Sequence, residues 1–203
     1  MATMDREALR EALDRSGAVI GPGLTDAEFS ALESRYGFRF AHDHRLMLSI
    51  GLPSGSPDWP DWRDGDEAHL RWLLAFPVEG VRSSVEAQHF WWPEWGERPH
   101  NRSEAVELAR GQLSEVPQLV PLHTYRFISS QPAPPRNPVF SIYGTDAICV
   151  GADLLDYLRW EFGSEPWPLP RSAADARPVE FWSQLVERRA QHNRATHRDP
   201  PST

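Results

Sequence analysis

The chain has 203 residues, a formal net charge of −8, 40 % hydrophobic residues and one cysteine. Its length and apolar content suit one domain with a sizeable core. The acidic balance disfavours nucleic-acid binding, which needs clustered cations against phosphate, and no run approaches the roughly 20 apolar residues of a membrane span. Cys149 has no partner for an internal disulfide and reads as a small buried apolar group. The N-terminus, MATMDREALREALDR, is charged and lacks the apolar core of a signal peptide, so a cytoplasmic protein is expected. All 21 basic residues are arginine, and no mechanism is drawn from that.

A first helix is expected over Asp5 to Ser16, with Leu9 and Leu13 one turn apart and Gly17 ending it. Thr25 and Glu28 have the spacing of a capping box, and Leu24 and Phe29 that of a hydrophobic staple. A second helix therefore begins at Asp26, buries Phe29, Leu32 and Tyr36, and stops at Gly37. A third runs from about Asp43, presents Leu46, Met47 and Ile50, and ends at Gly51. Leu52 to Asp66 is an acidic loop in which Trp59 and Trp62 stand among Asp58, Asp61, Asp64, Asp66 and Glu67, with Arg63 the lone cation. The two indoles either pack down or face a partner; packing avoids exposing surface whose burial is worth about 2 kcal/mol each.

Leu70 to Phe76 reads as a helix broken at Pro77. Val78, Val81, Val85 and Phe90 then continue an apolar face, as helix or strand. The next segment holds Trp91, Trp92, Trp95 and Arg98, residue types that anchor protein interfaces and that serve equally as a bulky core plug. Ser103 is placed to cap a helix reaching Leu113. Leu119 to Leu122 and Tyr125 to Ile128 read as short strands around His123-Thr124, followed by a proline-rich stretch from Gln131 to Pro138. Val139 to Tyr143 and Ala147 to Val150 form a hairpin about Gly144-Thr145-Asp146. Asp153 caps a helix with Leu154, Leu155, Leu158 and Phe162 on one face and Gly163 closing its last turn. A proline-studded linker, Ser164 to Arg177, leads to a last helix with Pro178 in its first turn and Phe181, Trp182, Leu185 and Val186 as its stripe. Arg188, Arg189, Arg194 and Arg198 make the tail locally basic.

Catalytic signatures are sparse: there is no phosphate-binding glycine loop, HExxH, paired CxxC or GxSxG. His42, Asp43 and His44 diverge by about 100° per residue on a helix and cannot share an ion. His123, Tyr125, Arg126 and Asp146 form the best remaining polar set, since neighbouring strands place them near one another. A catalytic role there would also need a nucleophile and an oxyanion donor.

The order of GLTDAEFSALESRYGFRF (Gly23 to Phe40), LVPLHTYRFI (Leu119 to Ile128) and NPVFSIYGTDAICVGADLLDYLRWEFG (Asn137 to Gly163) resembles the SUKH superfamily. That family comprises Smi/Knr-type cell-wall regulators and toxin-immunity proteins, and DWRDG (Asp61 to Gly65) with PVEGVRSSVEAQHFWWPEWGERP (Pro77 to Pro99) is similar to a bacterial branch. The resemblance spans roughly Gly17 to Gly163. It departs at Phe40-Ala41, where the family often has Leu-Pro, and at Leu52-Pro53-Ser54-Gly55, where it often has Asn-Gly. It implies an α+β fold, a mainly antiparallel twisted sheet with helices packed around it, with residues 1–163 as the SUKH-like domain. Residues 164–203 would be a linker, a helix packing on the same domain and a loose tail. It also implies no cofactor, and work done by binding. No metal is expected from the histidine spacing, and a monomer or weak homodimer is expected. The acidic Asp58 to Glu67 loop would suit a basic toxin domain as partner, with a regulatory target the other reading. The partner-binding candidates are Trp59, Asp61, Trp62, Asp64, Trp91, Trp92, Trp95, Arg98, His123, Tyr125 and Arg126. The competing reading is a small-molecule or enzymatic site built on His123, Tyr125, Arg126 and Asp146.

Overall fold

The structure, a computed structural model, describes residues 5–130, 136–163 and 176–196. Helix α1 (Arg6–Asp14) starts on Asp5, whose carboxylate accepts from the Glu7 N–H at 2.9 Å. Strand β1 (Val19–Gly21) pairs antiparallel with β2 (Leu52–Ser54). Between them lie α2 (Asp26–Tyr36), which carries the expected Thr25–Glu28 capping box, and α3 (His42–Ile50). Gly37 closes α2 at φ 73°, a left-handed conformation that costs glycine least.

Helix α4 (Glu67–Glu86) corrects the expected break, because it runs straight through Pro77. A proline inside a helix costs about 3 kcal/mol. Leu70, Leu74, Val81 and Val85 fall with Pro77 on one buried stripe, and burial worth about 2 kcal/mol per side chain outweighs that cost. Helix α5 (Arg102–Leu113) is capped by Asn101 rather than Ser103: the Asn101 Oδ1 accepts from the Ser103 N–H at 2.8 Å and the Glu104 N–H at 3.3 Å.

Strands β3 (Leu119–His123), β4 (Arg126–Ser129), β5 (Val139–Tyr143) and β6 (Asp146–Gly151) form a twisted antiparallel sheet in sequence order. Each adjacent pair is a hairpin neighbour, so the fold is α+β with helices on both faces of this sheet. On one face Val120, Leu122, Ile128, Val139 and Val150 pack with α1, α3 and α6 (Leu154–Phe162). On the other, Leu119, Phe127, Phe140, Ile142, Ala147 and the buried Cys149 pack with Val81, Leu113 and α7 (Trp182–Thr196).

Two helix ends differ from expectation. Gly163 does follow α6, but at φ −79° it is not left-handed. Its need for glycine is one of space, since a Cβ there would sit 2.0 Å from the Arg159 carbonyl oxygen. Helix α7 starts at Trp182, not at Pro178, because Phe181 sits at φ 62° and separates the proline from the helical turn. Phe181, Trp182, Leu185 and Val186 are all buried as the apolar stripe requires, and the Trp182 indole N–H donates to the Pro117 carbonyl at 2.7 Å. Most of the expected linker (164–175) and proline-rich stretch (131–135), and the end of the tail (197–203), lie outside the described residues.

Candidate binding surface at the hairpin end

The two tight turns of the sheet, β3–β4 and β5–β6, lie at the same end. The β3–β4 turn is Thr124-Tyr125 and the β5–β6 turn is Gly144-Thr145, each with positive φ at its first residue alone (47° and 62°). Asp146 therefore belongs to β6 and pairs with Tyr143 rather than extending the turn. Glycine is the residue such a turn prefers, so Thr124 is strained where Gly144 is not. The Thr124 N–H donates to the Asp58 carbonyl at 2.6 Å, which fixes the acidic loop against the turn. The turns are held together by the Ile142 N–H, which donates to the Tyr125 carbonyl at 3.0 Å.

Helix α4 crosses this end at Gly80. A Cβ on Gly80 would lie 2.9 Å from the Gly144 Cα, so the helix reaches the hairpin only because Gly80 lacks a side chain. That approach places Phe76 at the centre of a ring cluster. Its centroid lies 5.2 Å from Trp72, 5.3 Å from Tyr125 and 6.1 Å from Tyr143, and beneath it Phe127 stacks at 6.2 Å. Tyr125 and Tyr143 meet edge to face at 5.6 Å, and His69 stacks on the outer side of Trp72 at 5.7 Å. Trp72, Tyr125 and Tyr143 remain 51 %, 46 % and 68 % exposed. Among the described residues only Val19 and Ile148 are other large apolar side chains left so open, so the strip is the main concentration of exposed ring surface. Beside it runs a groove of about 340 Å³ lined by Trp72, Ala75, Phe76, Glu79, Gly80 and Ser83.

On the opposite face of the same hairpin lies a polar cluster. His123 and Leu122 both turn toward α6, which strict alternation forbids; the β3–β4 register shifts between Pro121 and His123 and permits it. The His123 Nδ1 shares a 2.9 Å hydrogen bond with the Tyr157 hydroxyl, and Trp59 and Phe162 cover the imidazole at 4.6 Å and 5.2 Å. The Arg126 guanidinium donates to the Ser141 hydroxyl at 3.0 Å and stands 3.8 Å from Glu161. Burial pushes the His123 pKa down, against the pull of the Glu161 and Asp58 carboxylates, and burial raises the Tyr157 phenol well above its usual value. The imidazole is thus held neutral between two rings and a hydroxyl.

The four residues of the competing sequence reading do not come together. His123 and Arg126 face α6, Tyr125 joins the rings on the α4 face, and Asp146 pairs with Arg189 at 3.1 Å. Among the described residues no group of three His, Cys, Asp or Glu could hold a metal ion; His42 is exposed while His44 is fully buried.

The acidic loop divides into core and rim. Trp62 is buried against Tyr36, Phe38 and Phe40, and Trp59 against His123 and Phe162, so both indoles are packed down. Arg63 is fully engaged: it pairs with Glu28 at 2.6 Å and donates to the Pro22 and Gly23 carbonyls. That contact, with the Thr25 cap, holds the Glu28 carboxyl down at about 2. Asp61 accepts from the Arg63 and Asp64 N–H groups and so shapes the turn, and Asp66 caps α4. Asp58 and Asp64 are exposed; Asp58 accepts from the Ser56 hydroxyl at 3.0 Å, and Asp64 lies in the field of Arg63.

The tryptophan segment after α4 is also structural. Trp92 is buried against Phe181 at 4.8 Å, with Arg188 4.2 Å above its ring. Trp95 stacks on Phe181, and Trp91 donates to the Gly96 carbonyl. Arg98 donates to the Val85 and Phe90 carbonyls, closing the open C-terminal end of α4.

No family model, curated protein or solved structure matches this chain.

Of the sequence candidates, only Tyr125 lies in the exposed strip. Trp72, Phe76 and Tyr143 were not singled out from sequence, nor were Tyr157 and Glu161. A signal for the first two was present: they are rings one turn apart on α4 that fall off its Leu70–Leu74–Val81 stripe.

Proposed function

We propose that this chain is a non-enzymatic protein-binding module that seats its partner on the Trp72–Phe76–Tyr125–Tyr143 strip. The partner would be a basic protein surface, as for an immunity-type inhibitor of a bacterial toxin or a regulatory binding protein. The carrying observation is the strip itself: three half-open rings around one anchored phenylalanine, on a chain of net charge −8. Rings of this kind supply most of the binding energy at protein interfaces, and net charge of one sign steers the partner in. The segment order resembling the SUKH superfamily supports the same role.

The test is copurification from the native host with two baits, the unaltered chain and a Trp72→Ala/Tyr143→Ala double variant of equal thermal stability. A partner retained by the first and lost from the second is the expected result. Equal capture by both baits would remove the strip from the proposal.

A further inference from the structure

We infer that the strip is closed by self-docking: free of any other partner, it is covered by the same strip of a second copy, the two α4 helices lying antiparallel about a two-fold axis at Ala75. The inference rests on the strip being a docking surface, as proposed above, and adds what occupies it until another protein arrives. Ala68, Trp72, Ala75, Glu79 and Ser83 are exposed and recur at helical spacing. Helix α4 therefore has a second face, turned away from the stripe that buries Leu70, Leu74, Val81 and Val85, which stays open among the described residues. The groove of about 340 Å³ lies along it, with Trp72 at one end and Glu79 and Ser83 at the other. A two-fold contact needs projection and hollow on the same patch. With the axis at Ala75, Trp72 of each copy falls between Ala75 and Ser83 of the other, so each indole enters the other's groove.

Charge selects this orientation. Glu67, Arg71, Glu79 and Arg82 border the face and alternate in sign along α4. Each is neutralised within its own helix, Arg71 on Glu67 at 2.8 Å and Arg82 on Glu79 at 2.7 Å, and Asp146 on the neighbouring hairpin pairs with Arg189 at 3.1 Å. Glu86, the next acid along α4, is engaged by Arg82 at 3.3 Å and Arg102 at 3.4 Å. A copy of this chain, repelled elsewhere by its net charge of −8, can thus approach here. A parallel copy would set like charges side by side. An antiparallel one sets Glu67 by Arg82 and Arg71 by Glu79, and both pairings centre at Ala75 to within one residue. The internal pairs then extend into alternating networks, which fix the register while the rings supply the affinity. One helix and two turns make a contact at the small end of interfaces, so another protein can displace the copy.

Sedimentation velocity of the full-length protein from about 10 µM to 1 mM should show monomer passing to dimer. Ala75 is exposed, so neither Ala75→Glu nor Ala75→Arg disturbs the core. Each variant sets like charges on the axis and should associate at least about tenfold more weakly. An equimolar mixture of the two should form dimer again, because a residue on a two-fold axis meets itself. An unaltered chain that stays monomeric at about 1 mM, variants that associate as well as it does, or a mixture no better than either variant alone would each overturn self-docking. If the chain stays monomeric while copurification through the strip succeeds, self-docking fails and the role with another protein stands. If the dimer obeys the Ala75 exchange while both copurification baits capture alike, self-docking stands and that role fails.

Discussion

Replacing His44 by leucine should flatten the acid side of this protein's stability profile. His44 is fully buried on α3 against the Phe40 ring at 5.2 Å, and neither ring nitrogen has a hydrogen-bond partner among the described residues. Burial holds its pKa down at about 3, against 6.5 for the free side chain. The unfolded chain therefore binds a proton between those values that the folded chain refuses. Stability from this residue is fully present above about pH 6.5, falls as pH drops toward about 3, and is flat below. Each pH unit in that window costs about 1.4 kcal/mol, so roughly 2 kcal/mol is lost between about pH 6.5 and pH 5, before carboxylates begin to titrate. Burial also depresses the His123 pKa, so the unaltered chain carries a second contribution of the same sign. Urea denaturation at four pH values from about 7.5 to 5 should show the unaltered chain losing about 2 kcal/mol more than His44→Leu. At the upper end the variant should be at least as stable, since it removes two unpaired nitrogens from the core. Parallel profiles for the two proteins would refute the reasoning.

Three further perturbations follow from the hairpin end and its supports. Thr124→Gly should stabilise by about 1 kcal/mol in chemical denaturation by relieving the positive φ, and a loss of stability would show that the strain is illusory. Gly80→Ala should destabilise by roughly 1–3 kcal/mol and change the environments of Tyr143 and Phe76 together, because the new methyl meets the Gly144 backbone. Arg63→Gln should return the Glu28 carboxyl from about 2 toward 4.5. Stability that the pair contributes above about pH 4.5, and that fades as pH falls toward 2, should then be missing, which carboxyl NMR titration and acid unfolding would both register.

Local chemistry was legible where a few neighbouring residues decide the outcome. The Thr25–Glu28 box, the Asp153 cap and the β5–β6 hairpin each depend on groups within about six residues of one another. Pro77 was misread because the local cost of proline is visible in a sequence, whereas the stripe from Leu70 to Val85 repays it only through contacts with distant elements. Asn101 and Ser103 are both good caps two positions apart, and nothing local separates them. The aromatic strip is hidden from a local reading for a longer-range reason. Its rings come from α4 and from two hairpin turns about fifty and seventy residues further on, and they meet only because the sheet register and the Gly80–Gly144 approach align them. Likewise the choice between packed and partner-facing indoles at Trp59 and Trp62 turns on Phe40 and His123, which are remote in sequence and lie against them.

The sheet has no face that can do without its helices. Phe140, Ile142, Ala147 and Cys149 are roofed by Trp182, Leu185 and Val186 of α7, whose indole N–H donates to Pro117 and whose Arg189 pairs with Asp146 on β6. Any change that lifts α7 off the sheet would bare a broad greasy wall to solvent, and with it a route to clumping.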